Sequence, residues 1–226
     1  MLLYVLAVVA TPREAFWAFG VHAVLVGGAV AVARIPAGFL LRRLLVLIPF
    51  VLFAVFLPFF GGGARTDVLG LSVSVEGLWG AWTILAKATL GVTASIVMAA
   101  TTEVPDILLG LDRLRAPRLI TAIAGFMVRY LDVVLGEMHR MRIAMLSRGY
   151  DPRWIWQGRA LATSAGALFI RSYERGERVY QAMVARGYEG QMPVLSSVPT
   201  RSGSWVRALA IPSIAWAVAV AAILAA

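Results

Sequence analysis

Three carboxylates, Glu103, Asp106 and Asp112, fall within one short stretch of a chain that has only 12 acids in 226 residues. Such acids can exchange protons with a substrate when a base or a metal stands beside them. The sequence places neither in reach. The two histidines, His22 and His139, lie in different segments, and there is no cysteine. That removes a disulfide framework and thiolate–metal chemistry. Each histidine reads as a packed or surface residue, so no metal and no cofactor is expected. The Walker A pattern is missing throughout, so the chain offers no P-loop to cradle a nucleotide's phosphates.

The chemistry that the spacing does favour belongs to arginine. AMLSRGYD (144–151) and AMVARGYE (182–189) lie 38 residues apart and agree at five of eight positions, with Asp151 and Glu189 keeping the charge. Glycine after a helical run is a natural cap, and an arginine just before it suits the negative end of the helix dipole. Two well-made helix ends therefore account for Arg-Gly. They leave the shared Ala-Met before it and the Tyr-acid after it unexplained. Small residues, Ser147 and Ala185, would let another backbone come close. Arg148 and Arg186, beside Gly149 and Gly187, would then project as planar forks suited to a partner's carboxylate. Two equivalent docking ends imply two equivalent partners, or a dimer.

Positioning these ends is a task for a membrane protein. The chain is 60% hydrophobic, against about 45–50% apolar for a soluble domain. Apolar runs recur at 16–33, 44–60, 78–100 and 205–226. Each approaches the ~20 residues that cross a hydrocarbon core of ~30 Å. Residues 1–11 read as the far end of a first span whose beginning is missing, cut off by Pro12 and lacking the marks of a signal peptide. Net charge is +9, from twenty arginines and one lysine, Lys87. Arg34, Arg42 and Arg43 mark 34–43 as cytoplasmic, and 61–77 as external. Fourteen arginines between 113 and 201 put that segment inside as well. The expected fold is an all-α integral membrane protein of about five transmembrane helices plus long cytoplasmic amphipathic helices. Its parts are N-terminal spans at 1–101, a cytoplasmic region at 102–201 and a last span at 202–226.

The region 102–201 reads as helical but too polar for conventional spans. Residues 102–117 suit a short amphipathic helix stopped by Pro117. A long helix follows to about Arg148, with Met127, Leu131, Val134, Met138, Met141 and Met145 in alternating steps of four and three. That stripe suits crossing another helix. Methionine, soft and easily repacked, makes up four of its six members. The stripe reads either as a plain core face or as a contact that slides. A second helix repeats the rhythm through Phe169, Tyr173, Gly176, Tyr180, Met183 and Gly187. The apolar stretch 160–170 before it is too short to span and reads as lying at the interface or against the spans.

At this point the residues resemble a known family. The stretch from Ala99 to Gly190, with its two Arg-Gly motifs on amphipathic helices after four spans, is similar to the transmembrane coupling (T) component of energy-coupling-factor (ECF) transporters, closest to the cobalt-type CbiQ branch. The first motif departs from the family's Ala-Arg-Gly by reading Ser147-Arg148-Gly149. The resemblance implies a cell-membrane, multi-pass subunit that is not an enzyme. Two ABC-type ATPases would dock on Ser147, Arg148 and Gly149 and on Ala185, Arg186 and Gly187. Their ATP-driven closure would move the coupling helices against each other through the methionine stripe, Tyr180 and Met183. That motion would reorient a separate substrate-binding membrane subunit, CbiM-like, with a small accessory membrane subunit as a further partner. The substrate implied is cobalt; nickel, biotin or another vitamin stay open.

Two readings of other classes stand beside it. A membrane enzyme would use Glu103, Asp106 and Asp112 near the inner interface, with arginines holding an anionic lipid, and would be active as a single chain. A scaffold would bind lipid headgroups or nucleic acid by charge alone, and would lose function gradually as any arginine is removed. Neither explains the repeat, so membrane lipid is an expected partner and nucleic acid is not.

Overall fold

The computed structural model describes residues 1–62, 64–68, 71–150, 158–190 and 202–225. These form two compact units, one from residues 1–103 with the C-terminal helix and one within 104–197.

The first unit holds the packed core. Helices α1 (Leu2–Ala10), α2 (Phe16–Val32), α3 (Ala37–Leu44) and α4 (Ile48–Phe60) follow in order, with a 3-10 turn at Leu45–Leu47 joining the last two. The apolar run expected at 44–60 thus extends back to Ala37, giving a 24-residue stretch long enough to span. A hairpin follows, β1 (Arg65–Val68) and β2 (Leu71–Ser74), antiparallel with Arg65 opposite Ser74. Then come the 27-residue α5 (Val75–Thr101) and, closing the unit, α9 (Ser202–Ala225). Ser74 caps α5: its hydroxyl accepts from the Gly77 amide at 3.2 Å and donates to the Gly62 carbonyl at 2.6 Å.

Small residues bring these helices together. Ala7, Ala94, Ala215 and Ala219 share one buried cluster with Tyr4, Phe19 and Leu90. In an apolar solvent, close backbone approach replaces the hydrophobic drive as the source of packing. Gly77 is the tightest case: a Cβ there would stand 2.6 Å from the Leu57 carbonyl oxygen and 2.7 Å from the Pro58 Cα. Most buried polar groups inside this unit find internal partners, His22 Nδ1 being a buried atom that finds none among the described residues. Thr11 Oγ1 donates to the Ala7 carbonyl at 2.8 Å and lies 3.1 Å from His22 Nε2, while the Tyr4 hydroxyl donates to the His22 carbonyl at 2.8 Å. Since the Thr11 hydrogen is already committed, His22 Nε2 must carry the proton between them. Lys87 Nζ donates to the Val9 carbonyl at 2.7 Å. It answers an orphan carbonyl where α1 stops short of Pro12.

The second unit is a set of three helices. They are α6 (Val104–Arg113), α7 (Arg118–Ser147) and α8 (Gly158–Val184). The apolar stretch 160–170 forms the first part of α8, since no proline separates it from the amphipathic turns that follow. Residues Leu119–Ser147 of α7 are also long and apolar enough to cross a membrane by length and composition, as are 37–60, 75–101 and 208–225. By length and composition α7 thus qualifies as a span within a region that reads as too polar for conventional ones, because its first half carries few charges.

Four helix ends share one backbone device. At α2, α6, α7 and α8, the amide of the second residue past the cap bonds the carbonyl five positions back: Ile35 to Val30, Ala116 to Leu111, Tyr150 to Met145 and Tyr188 to Met183. The residue before it is left-handed: Arg34 at φ +52°, Arg115 at +63°, Gly149 at +75° and Gly187 at +82°. This is the Schellman arrangement. Glycine adopts it freely, whereas a side chain costs about 1–2 kcal/mol.

Candidate functional site

The two Arg-Gly ends are built alike to the atom. In each, the glycine amide bonds the carbonyl three back, Gly149 to Leu146 and Gly187 to Val184, both at 2.9 Å. In each, the tyrosine amide bonds the methionine carbonyl at 3.0 Å. The methionine and tyrosine thus occupy the two positions whose side chains commonly meet across this cap. That supplies a reason for Met-x-x-Arg-Gly-Tyr that spacing alone did not offer. Met145 and Tyr150 indeed line one groove together. Asp151, the acid of the first copy, lies outside the described residues, as do Trp154 and Trp156, while Glu189 is exposed.

Arg148 and Arg186 are exposed at these ends, and neither forms an ion pair with a described residue. Ser147 and Ala185 are exposed beside them. The Ser147 hydroxyl donates to the Ile143 carbonyl at 2.9 Å. Its polar atom is turned back on its own helix, so the serine presents a surface nearly as small as alanine. Open space surrounds Gly149 and Gly187, with nothing within 4 Å of a Cβ placed on either.

Helices α7 and α8 meet where Arg171 bonds Glu137 at 2.5 Å, and Glu137 also accepts from Arg140 at 2.6 Å. On one side of this meeting a groove of about 410 Å³ is walled by Met127 and Val134 of α7 and by Tyr180 and Met183 of α8. On the other side a groove of about 530 Å³ is walled by Met138, Met141 and Met145. Ser164 Oγ approaches Met145 Sδ at 3.7 Å there. Leu131 lines neither groove and is 55% exposed. Sequence periodicity passed over Phe126, Tyr130 and Val133, which line the first groove. The Phe126 and Tyr130 rings stack at 6.3 Å. Their i,i+4 aromatic spacing was the available signal.

The acidic residues do not assemble. Glu103, Asp106 and Asp112 are exposed, and none pairs with a described residue. Among the described residues, no group of three His, Cys, Asp or Glu side chains could hold a metal ion. His22 is buried in the first unit, while His139 lines the second groove of the other.

Comparison with known proteins points one way. The family model described as CbiQ, cobalt transport protein, matches residues 1–195. A cobalt transport protein CbiQ of Rhodobacter capsulatus is 30% identical over 134 residues, covering 59% of this chain and 54% of that one. An energy-coupling factor transporter transmembrane protein EcfT of Bacillus selenitireducens is 24% identical over 177 residues, 72% of this chain and 66% of that one. A putative fused cobalt transport protein CbiMQ of Methanocorpusculum labreanum is 26% identical over 145 residues, 62% of this chain and 24% of that one. The matched region spans between a quarter and two thirds of the length of these relatives.

Proposed function

Because the chain belongs to the CbiQ cobalt transport protein family and is a multi-pass membrane protein, we propose that it is the coupling subunit of an ECF-type importer, with cobalt as its cargo. It transmits the closure of two ABC-type ATPase subunits to a separate substrate-binding membrane subunit. The observation that carries this reading is the pair of matched caps. Two helices end in the same backbone bonds and present Arg148 and Arg186 without an ion pair among the described residues, beside small side chains. Two copies of one ATPase surface need two equivalent keys, and a planar guanidinium is suited to bidentate capture by a carboxylate. The fused CbiMQ relative supports a CbiM-like partner. Grooves walled by methionine beside the helix meeting suit a contact that repacks as the helices move.

The test is cobalt uptake in cells supplying the partner subunits. Arg148→Ala or Arg186→Ala reduces uptake at least about tenfold, the effect of losing ~1.4 kcal/mol of docking. Arg175→Ala and Arg178→Ala, on the flank of α8, leave it near wild type. Equal losses at all four positions would point to bulk charge and reject the docking reading.

A second reading concerns α7 alone, since Leu119–Ser147 meets the length and composition of a span. The coupling role needs this helix in reach of water. The cysteine-free chain makes the check direct. A Leu131→Cys variant in inside-out vesicles reacts with a membrane-impermeant maleimide if α7 is aqueous, and stays unlabelled if α7 crosses the bilayer.

A further inference from the structure

Among the described residues, the non-glycine positions with positive φ are Arg34 and Arg115. Both stand at the left-handed place of a Schellman cap, and both precede an X-Pro step into the next helix, Arg34-Ile35-Pro36 and Arg115-Ala116-Pro117. The helix dipole does not require this choice. A basic residue gains from the dipole one position earlier, at an ordinary φ, with glycine taking the strained place. The chain uses that solution at Arg148-Gly149 and Arg186-Gly187. An arginine placed in the left-handed position instead is there for where its side chain is sent.

Around Arg34 the destination can be read. Its guanidinium is exposed and has no partner among the described residues. The helix it ends, α2, is apolar from Phe16 to Val32 and carries no charged residue. Val32, two residues before the arginine, is 86% exposed, as suits a side chain facing lipid at the helix end. After the corner, α3 adds Arg42 and Arg43 in its last turn. The Arg43 guanidinium carbon sits 4.4 Å over the Phe39 ring, so one of these cations is held along an apolar surface. Three arginines, no acid between 15 and 66, and an exposed apolar rim describe a place where hydrocarbon gives way to phosphate.

We propose that Arg34, at the corner between α2 and α3, binds the phosphate of an anionic lipid headgroup on the arginine-rich side of the membrane, with Arg42 and Arg43 of α3 adding positive charge along the same stretch. The left-handed φ aims Arg34 at that phosphate, and Pro36 fixes the chain behind it. Arg115 repeats the corner's backbone in the other unit and is not part of this site.

Glycine substitution separates the strain from the side chain. Purified wild type, Arg34→Gly and Arg34→Lys are placed in discs of phosphatidylcholine, with or without phosphatidylglycerol, and unfolding is followed by tryptophan fluorescence. In neutral discs Arg34→Gly melts at or above the wild-type temperature, by up to about 2–4 °C, because the left-handed residue is no longer strained. Phosphatidylglycerol raises the wild-type melting temperature, raises that of Arg34→Lys less, and leaves Arg34→Gly unmoved. A full anionic-lipid shift in Arg34→Gly would overturn the proposal, as would the absence of any shift in wild type. So would a lower melting temperature of Arg34→Gly in neutral discs, which would assign the arginine a job within the fold. If millimolar inorganic phosphate in neutral discs reproduces the arginine-dependent shift, the ligand is free phosphate and the lipid assignment is overturned.

Discussion

In the first unit Tyr4, His22, Ala94 and Ala215 are shut away from their surroundings. In the second, no described side chain of α6, α7 or α8 is fully buried. Both units are helical and both contain long apolar stretches, though the second holds most of the twenty arginines. What separates their packing is residue size at the seams. The first places alanine and glycine where helices cross, and its backbones close together. The second places methionine, tyrosine and phenylalanine on facing walls, and its helices meet around one carboxylate bridged by two guanidiniums. The first unit has a closed core beneath an exposed apolar exterior. The second leaves open walls and, at its helix ends, Arg148 and Arg186 exposed and without an ion pair among the described residues.

Several substitutions would break or sharpen this contrast. The largest effect is expected at Gly77, where even a methyl group meets the backbone of α4 at under 3 Å. Gly77→Ala should lower the stability of the first unit by about 1–3 kcal/mol or more, read as a fall in melting temperature. Lys87→Met comes next. It leaves the Val9 carbonyl unanswered in apolar surroundings, a loss of about 1–3 kcal/mol in the same assay. Gly149→Ala and Gly187→Ala each force a side chain into a left-handed cap, costing about 1–2 kcal/mol locally. With no core to transmit the damage, melting should barely move, while ATPase binding by that helix end falls. Gly125→Ala is the smallest. Nothing lies within 4 Å of its Cβ, so this mid-helix change should be neutral or slightly stabilising, by up to ~1 kcal/mol.

Long-range order was partly written in the sequence. The apolar runs located most of the helices, since a stretch of twenty such residues has few other uses, and the Gly and Pro punctuation placed their ends. The hairpin at 65–74 was hidden because Leu71, Val73 and Val75 alternate over too few residues to stand out against the apolar runs on either side. The Thr11–His22 contact was invisible because α1 and α2 are brought together by packing on α5 and α9, and neither residue marks the other in sequence. The paired Met and Tyr of the repeats were legible as a pattern. Their reason lay in backbone bonds of the cap, which no count of spacings reveals. The left-handed arginines were harder to see: Arg34 and Arg115 share a proline two residues on, a mark that signals a corner but not the sign of φ.

The central claim is that the two arginine caps are equivalent anchors for two ATPase subunits. The most direct test is gentle-detergent affinity purification from membranes that contain the native partners, with each co-purifying chain quantified by mass spectrometry. The account predicts two ATPase copies per wild-type chain, one copy for Arg148→Ala or Arg186→Ala taken singly, and none for the double variant. Recovery of this chain alone, or ATPase copies unchanged in the double variant, would contradict it.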